Sequence, residues 1–183
     1  MSDLDQNDLD FTFLADEGAP VAPVRETPTA SEEDESVIGA QALDAQGFHV
    51  VAAQRRTTPS ESQVVLVVDD DLATAELAAR ALRRAGLQAA VAGSPREAAR
   101  LMGELGAPGL VLLDIEMPGM NGFEFLARMR ASRRLKETPV ILFTALSERR
   151  HVVRGLLAGA DGYVAKPITG AALVAAVKTV LAV

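Results

Sequence analysis

Five polar side chains in the last 120 residues of the chain carry groups that together could take up a phosphoryl group. They are three carboxylates, one hydroxyl and one ammonium: Asp69, Asp70, Asp114, Thr144 and Lys166. Each follows or closes an apolar run, as in VVLVVDDD and LVLLDIEMPGMNG. A carboxylate can attack phosphorus, while an ammonium and a hydroxyl neutralise and orient the transferred group. The residue types therefore predict phosphoryl transfer.

From Val64 onward, short apolar runs alternate with stretches of helical periodicity, which is typical of a parallel α/β sheet. Strands are predicted at 64–68, 87–91, 109–113, 139–143 and 161–165, and helices at about 72–85, 95–105, 122–132, 148–158 and 169–182. Runs such as VVLVV are apolar at consecutive positions, so helices should cover both faces of these strands. In the first helix, Leu77, Ala81 and Ala85 recur at helical spacing. We expect an α/β fold with a doubly wound, five-stranded parallel sheet.

In such a sheet the carboxyl ends of the strands meet at one edge, so the polar residues should converge there. If the first predicted strand lies beside the third, Asp69 and Asp70 come near Asp114. Three carboxylates in one pocket repel unless a cation or a proton intervenes, and oxygen ligands alone favour Mg²⁺. Asp114 is the candidate nucleophile, because it closes an apolar strand and precedes a Met-Pro-Gly turn. Lys166 would neutralise charge, and Thr144 would donate a hydrogen bond to the transferred group.

The composition of the 183-residue chain excludes several other functions. The absence of cysteine rules out disulfides, thiolate metal sites and thiol nucleophiles. A net charge of −7 argues against general nucleic-acid binding, which needs a basic surface. The first residues are acidic and lack the apolar stretch of a secretory signal, and no apolar run approaches the roughly 18 residues that a bilayer requires. We expect a cytoplasmic protein without membrane insertion.

The charge is unevenly divided, and residues 1–63 form an acidic extension to a domain at 64–183. The extension holds 13 acidic and 3 basic residues, a net charge of −10, whereas the domain carries +3. Its apolar clusters are few, so we expect it to be largely disordered. Two patches, 9–14 and 37–53, are candidate docking motifs. The second could form a short helix ending near Gly47 and then an extended FHVVAA. A plain solubilising tail is the alternative.

The acidic extension has a candidate target in a set of basic residues around the third and fourth predicted helices. These residues are Arg128, Arg130, Arg133, Arg134, Lys136, Arg149, Arg150 and Arg154. Opposite charge favours docking of the extension on this surface within one chain. The alternative is that these residues form a solvated helix face.

Residues 64–183 resemble the receiver domain of two-component response regulators, a family whose simplest members include the bacterial chemotaxis regulator. The resemblance rests on four motifs: VVDD (67–70), LLDIEMPGMNG (112–122), FTA (143–145) and YVAKP (163–167). It implies a (βα)5 receiver fold with the flavodoxin-like strand order 2-1-3-4-5. It implies these roles: Asp69 and Asp70 as the metal-binding pair, Asp114 as phosphoacceptor, Lys166 as the family's lysine, Thr144 and Tyr163 as switch residues, and the backbone carbonyl of Glu116 as a further Mg²⁺ ligand.

The resemblance also implies a signalling role. A histidine kinase or a histidine phosphotransfer protein would donate the phosphoryl group. The domain would assist the later hydrolysis of its own acyl phosphate, and we expect no other enzymatic activity. Thr144 and Tyr163 would move, changing the affinity of the face made by the fourth helix, the fifth strand and the fifth helix for a downstream protein. That face could also pair in a homodimer, since the fifth helix is unusually apolar. We expect no output domain after Val183 and no direct contact with nucleic acid.

Other functions would use similar residues. A haloacid dehalogenase-type phosphohydrolase also needs an aspartyl nucleophile, a lysine and an acidic pair. It places the acidic pair after the lysine, and a second Asp two residues past the nucleophile, whereas here the pair comes first and position 116 is Glu. Nucleotide binding would need a Gly-rich phosphate-binding loop after the first strand, and the sequence has none there. A phosphate sink in a relay and an unphosphorylated interaction module stay open as alternatives.

Overall fold

A computed structural model describes residues 48–50, 63–146 and 149–183. The strands are β1 (Phe48–Val50), β2 (Val64–Val68), β3 (Gln88–Ala92), β4 (Leu110–Leu113), β5 (Val140–Thr144) and β6 (Gly162–Ala165). The helices are α1 (Leu72–Arg84), α2 (Pro95–Leu105), α3 (Gly122–Ala131), α4 (Arg149–Leu157) and α5 (Gly170–Leu181). Within these ranges no helix combines the length and the apolar character needed to span a bilayer.

The strands form one sheet in the order β1-β6-β5-β4-β2-β3. All neighbours from β2 to β6 are parallel. Numbered from β2, these five strands have the order 2-1-3-4-5, so the predicted flavodoxin-like fold is confirmed. The order reverses at β2, which lies between β3 and β4. The carboxyl ends of β2 and β4 are therefore neighbours at the switch point of the sheet, where ligands of such folds bind.

An additional strand, β1, lies at the edge of the sheet and pairs antiparallel with β6. Phe48 lies opposite Val164, and Val50 opposite Gly162. This strand falls within the FHVVAA segment, where an extended conformation was predicted. It also falls before the predicted domain boundary, so the sheet takes in a part of the chain that we assigned to the extension. The patch at 9–14 and the predicted helix before Gly47 lie outside the described residues, and the disorder predicted for 1–63 stays a prediction.

Two apolar cores lie on opposite faces of the sheet, and β2 contributes to both. Leu66 and Val68 point into one core, together with Phe125 of α3. Val65 and Val67 point into the other. Because successive strand residues face opposite sides, a strand covered on both faces must be apolar at every position. The buried run VVLVV therefore fixes the position of β2 at the centre of the fold.

The outer helices bury faces that the sequence only partly reveals. Leu77, which recurs at helical spacing with Ala81 and Ala85, is 65% exposed, and the buried residues of α1 are Ala75, Ala78, Ala79 and Leu82. The helix therefore packs through a neighbouring stripe. On α5, the apolar residues beyond the buried stripe include Val174 and Leu181, which are partly buried against the second core. Core packing thus accounts for much of the apolar character of α5.

Candidate functional site

The three predicted carboxylates meet at the carboxyl ends of β2 and β4. One oxygen atom each from Asp69, Asp70 and Asp114 lies within 4.8 Å of the others. The strand register produces this arrangement, because Val68 pairs with Leu113 and the aspartates follow directly. The backbone N–H of Asp114 continues the ladder by donating to the carbonyl of Val68 at 2.9 Å. Asp69 and Asp114 are buried, whereas Asp70 is exposed, so the cluster opens to solvent on one side.

Lys166 brings a positive charge to the same cluster from the far side of β5. Its Nζ atom lies 2.6 Å from Oδ2 of Asp69 and 3.1 Å from Oδ1 of Asp114. The backbone supports this position, since the N–H of Lys166 donates to the carbonyl of Thr144 at 2.8 Å. The peptide bond between Lys166 and Pro167 is cis. One ammonium therefore serves two buried carboxylates from different strands.

The environment shifts the proton affinities of this group. Burial raises the pKa of Asp114, because it disfavours the charged form, and the nearby Lys166 ammonium only partly offsets this effect. Burial acts to lower the pKa of Lys166, but the hydrogen bond to Asp69 and the charges of the two carboxylates outweigh it, and the pKa is raised. Lys166 is thus held in its charged form, while Asp114 is ionised less readily than an ordinary aspartate.

The loop after Asp114 is held against the end of β4. The N–H of Glu116 donates to Oδ2 of Asp114 at 3.1 Å, and the N–H of Gly122 donates to the carbonyl of Ile115 at 2.9 Å. Gly122 approaches so closely that an added Cβ would overlap the carbonyl oxygen of Asp114 and lie 2.8 Å from Cα of Ile115. The buried side chain of Met117 anchors the turn. The loop therefore fixes the orientation of the Asp114 carboxylate.

The two predicted switch residues lie on adjacent strands next to the cluster. Thr144 closes β5 and is buried, and its Oγ1 accepts a hydrogen bond from the N–H of Leu146 at 3.3 Å. Tyr163 on β6 is fully buried, and its hydroxyl donates to the carbonyl of Leu146. Burial raises the pKa of Tyr163, and the charges of Asp114 and Glu116 add to this effect. Leu146 thus links the two side chains, with the tyrosine pointing inward.

Space for the Tyr163 ring is provided by helix α4. A Cβ added at Gly155 would lie 2.5 Å from Cδ1 of Leu142 and 3.3 Å from Cδ2 of Tyr163. The glycine therefore allows α4 to approach β5 and β6 at the position where the tyrosine is buried.

An open groove borders the cluster, and sequence reasoning missed several of its residues. It is lined by Asp70, Ile115, Glu116, Met117, Pro118, Asn121, Phe123, Leu146, His151 and Arg154. The guanidinium of Arg154 lies 4.4 Å from the ring centre of Phe123. His151 also lies in the wall of this groove. Residues from α3 and α4 carry no spacing signal that relates them to the strand-end motifs, so only the tertiary structure brings them here.

Two residues of the predicted basic surface are buried or largely buried in the structure. Arg128 is 7% exposed. Arg130 is largely buried, and its guanidinium donates to the carbonyls of Gly159 and Thr138 and forms an ion pair with Asp161 at 3.0 Å. The charges of these two residues are largely buried within the fold. Arg128 and Arg130 therefore belong neither to an exposed docking surface for the extension nor to a solvated helix face. The structure describes the backbone of Arg149 and Arg150 in α4 but not their side chains.

The acidic cluster fits a hard divalent cation. Carboxylate oxygens are the ligands that Mg²⁺ and Ca²⁺ prefer, and the cluster consists of aspartates alone. The exposed Asp70 leaves room on the solvent side for waters, which Mg²⁺ retains when it binds proteins. Two buried acids with one ammonium between them also leave negative charge for a cation to neutralise.

The chain belongs to the response regulator receiver domain family. The sequence model of that family matches residues 65–178. Among curated proteins, the DNA-binding response regulator MtrA of Mycolicibacterium paratuberculosis is 41% identical over 116 residues, covering 63% of this chain and 50% of MtrA. The chain thus spans about half the length of the curated relatives it matches.

Solved structures of similar proteins have the same fold. A putative response regulator from Chloroflexus aurantiacus is 32% identical, with a TM-score of 0.62 over 67% of this chain and 100% of its own. The chemotaxis protein CheY4 of Vibrio cholerae is 28% identical, with a TM-score of 0.60 over 65% of this chain and 98% of its own. The predicted class, a receiver domain of a two-component system, is therefore confirmed.

Proposed function

We propose that Asp114 accepts a phosphoryl group from a phosphohistidine on a histidine kinase or a histidine phosphotransfer protein. The observation that carries this proposal is the shared contact of the Lys166 ammonium with Asp114 and Asp69 beside an open groove. Phosphoryl transfer depends on positioning and on neutralising charge, and this arrangement supplies both. Phosphodonors of this kind are made from ATP, so we propose that the protein works in the cytoplasm.

The transfer step exchanges one bond to phosphorus for another. One carboxylate oxygen of Asp114 forms a bond to phosphorus, and the bond from phosphorus to the imidazole nitrogen breaks. The imidazole keeps the electron pair and takes a proton from water. Lys166 stays protonated and faces the added negative charge, and the hydroxyl of Thr144 can donate to a phosphoryl oxygen. Water later hydrolyses the acyl phosphate, and we propose no other enzymatic activity.

Mg²⁺ is the metal we propose for this site. The side chains of Asp69, Asp70 and Asp114 would hold it, with the backbone carbonyl of Glu116 as a further ligand. When bound, it would supply positive charge to the phosphoryl oxygens and to the acidic cluster.

We propose that the phosphorylated state is read out through protein contacts. Tyr163 and Thr144 lie beside the phosphoacceptor, and both are linked to Leu146. A phosphoryl group that engages the Thr144 hydroxyl would therefore change the balance between two packings of this region. A downstream protein that binds one packing better would shift that balance further, and a homodimer through α4, β6 and α5 is one form of such contact.

Incubation with acetyl phosphate and Mg²⁺, followed by intact mass, tests the proposed acceptor. The wild-type protein should gain one phosphoryl group, and Asp114→Asn should gain none. Asp71→Asn is the matched control, because Asp71 follows the acidic pair but caps α1 through the N–H groups of Ala73 and Thr74, a role that Asn fills equally well. An unmodified wild type, or equal modification of Asp114→Asn, would overturn the proposal and favour an unphosphorylated interaction module.

A further inference from the structure

The pairing of β1 with β6 closes an edge that the five parallel strands would leave open. Without β1, β6 would be the last strand on its side of the sheet. An edge strand presents backbone N–H and C=O groups with which another extended segment can pair. At the opposite edge, Arg83 of α1 donates two hydrogen bonds to the carbonyl of Ala89 on β3, at 3.2 and 3.0 Å. A side chain thus occupies part of one edge, and a strand from the chain itself occupies the other.

The strand that β1 covers leads directly into the candidate site. His49 lies opposite Tyr163 in the register of the pair. Three residues further along, Lys166 contacts the buried carboxylates. β6 carries Tyr163, and Lys166 follows directly after its last residue, so the strand paired with β1 also positions these two residues.

The length of chain between β1 and β2 suits pairing within one molecule. Residues 51–63 join the two strands, which are separated in the sheet by β6, β5 and β4. Four strand spacings amount to about 19 Å. Thirteen residues can extend to at most about 45 Å, so the connecting segment is long enough to span this distance. Tethering makes the pairing intramolecular, which gives the chain's own segment an advantage in effective concentration over a separate molecule.

We propose that Phe48–Val50 is an intramolecular, exchangeable occupant of the β6 edge. It holds the backbone groups that an extended segment of a partner protein would otherwise use for strand addition. The strand has three residues, at the short end of the range for strands, so few hydrogen bonds hold it and a competing strand can replace it. The FHVV sequence contributes an aromatic and two β-branched side chains, which favour the extended conformation.

Hydrogen exchange measured by mass spectrometry on peptides that cover β6 tests this proposal in the full chain. The variant is His49→Pro/Val50→Pro. Neighbouring N–H groups of a strand point to opposite sides, so one of the two prolines must remove a donor that faces β6. Thr57→Pro/Thr58→Pro, in the connecting segment, carries the same number of added prolines and is the control. A synthetic peptide of residues 46–53 and a scrambled version are added to the variant in trans.

The β6 peptides of the strand variant should exchange about tenfold faster, the factor expected for the loss of one or two backbone hydrogen bonds. The control should match the wild type at every protein concentration, and the peptide of residues 46–53, but not the scrambled one, should restore protection. Equal exchange in variant and wild type would overturn the proposal. Protection that rises with wild-type concentration together with a dimer mass would overturn it as well, because a second copy would then supply the strand. No arm uses a phosphodonor, so failure here is distinct from failure of the proposed phosphorylation.

Discussion

The Nζ atom of Lys166 lies 3.1 Å from Oδ1 of Asp114, an ion pair that reaches from the end of β6 across β5 to the end of β4. The same ammonium lies 2.6 Å from Oδ2 of Asp69 at the end of β2. One side chain therefore ties together the ends of three strands. It also provides the positive charge beside two carboxylates that are buried in the fold.

Replacing this ammonium should destabilise the folded protein at neutral pH. Lys166→Gln leaves two buried carboxylates without their cation, and breaking a buried pair of this kind costs about 3 to 5 kcal/mol. Urea denaturation at neutral pH measures the change. Lys136→Gln removes an equal charge from an exposed side chain and should be close to neutral. Equal stability of both variants would show that the pair contributes nothing.

Asp114→Asn should change the stability of the folded protein in the opposite direction to Lys166→Gln. Burial raises the pKa of Asp114, so the folded state favours the protonated form more than the unfolded state does. The associated stability is fully present below the ordinary Asp pKa of 3.8 and is lost as the pH rises through the raised value. Asn, which cannot ionise, should therefore stabilise the protein at neutral pH. The gain should vanish in acid. Unfolding measured over a pH series with a chelator tests this, and a less stable variant at neutral pH would contradict it.

Mg²⁺ should stabilise the folded protein through the acidic cluster. A ligand that binds only the folded state stabilises it by about 2.7 kcal/mol at a concentration 100 times its dissociation constant. Asp70→Asn removes one exposed carboxylate of the proposed site and should reduce the Mg²⁺-dependent rise in Tm while leaving the metal-free Tm nearly unchanged. Asp71→Asn should keep the full rise. If all three proteins respond alike, Mg²⁺ acts elsewhere.

Gly122→Ala should disturb the loop that follows Asp114, the proposed phosphoacceptor. The added Cβ meets backbone atoms of Asp114 and Ile115, which cannot rotate away as a side chain could. We expect a loss of about 3 kcal/mol, at the upper end of the range for overpacking. Chemical denaturation measures it. Gly103→Ala, at an exposed position within α2, should instead gain up to about 1 kcal/mol from helix propensity. A neutral Gly122→Ala would mean that the loop can shift freely.

Gly155→Ala should move the ring of Tyr163. Tyr163 is the only tyrosine and the chain has no tryptophan, so the phenolate absorbance reports this residue alone. Burial raises the wild-type pKa above 10.0, and the stability linked to it is present below that value and lost as the pH rises further. In the variant the Cβ competes with Leu142 and the ring, so the phenol should titrate closer to its ordinary value. An unchanged titration would show that Leu142 alone absorbs the added carbon.

Much of the site could be predicted because its residues follow directly on strands. Each strand is a short, fully apolar run, so its end is visible in the sequence, and the parallel sheet brings the ends together. The strand order itself came from the resemblance to receiver domains. Apolar periodicity fixes which segments are strands and leaves open which of them are neighbours.

The features that were missed depend on contacts between distant parts of the chain. Arg130 reads as a surface charge, because its partners at Thr138, Gly159 and Asp161 come from loops that a helical pattern cannot anticipate. Leu77 recurs at helical spacing with Ala81 and Ala85, yet Leu77 is exposed, and the buried face of α1 consists of three alanines and Leu82. The strand β1 has only three residues, and so short a segment gives no sequence pattern that predicts its pairing with a strand more than a hundred residues away.

The antiparallel pair at the sheet edge has a consequence for biosynthesis. Its first member leaves the ribosome before any of the parallel strands, and its partner is the last strand to be made. Residues 48–50 therefore have no β6 partner until all the parallel strands that precede β6 have been synthesised. This pair is the last of the described strand pairs that can form, so its first strand has the longest exposure to a wrong partner during synthesis.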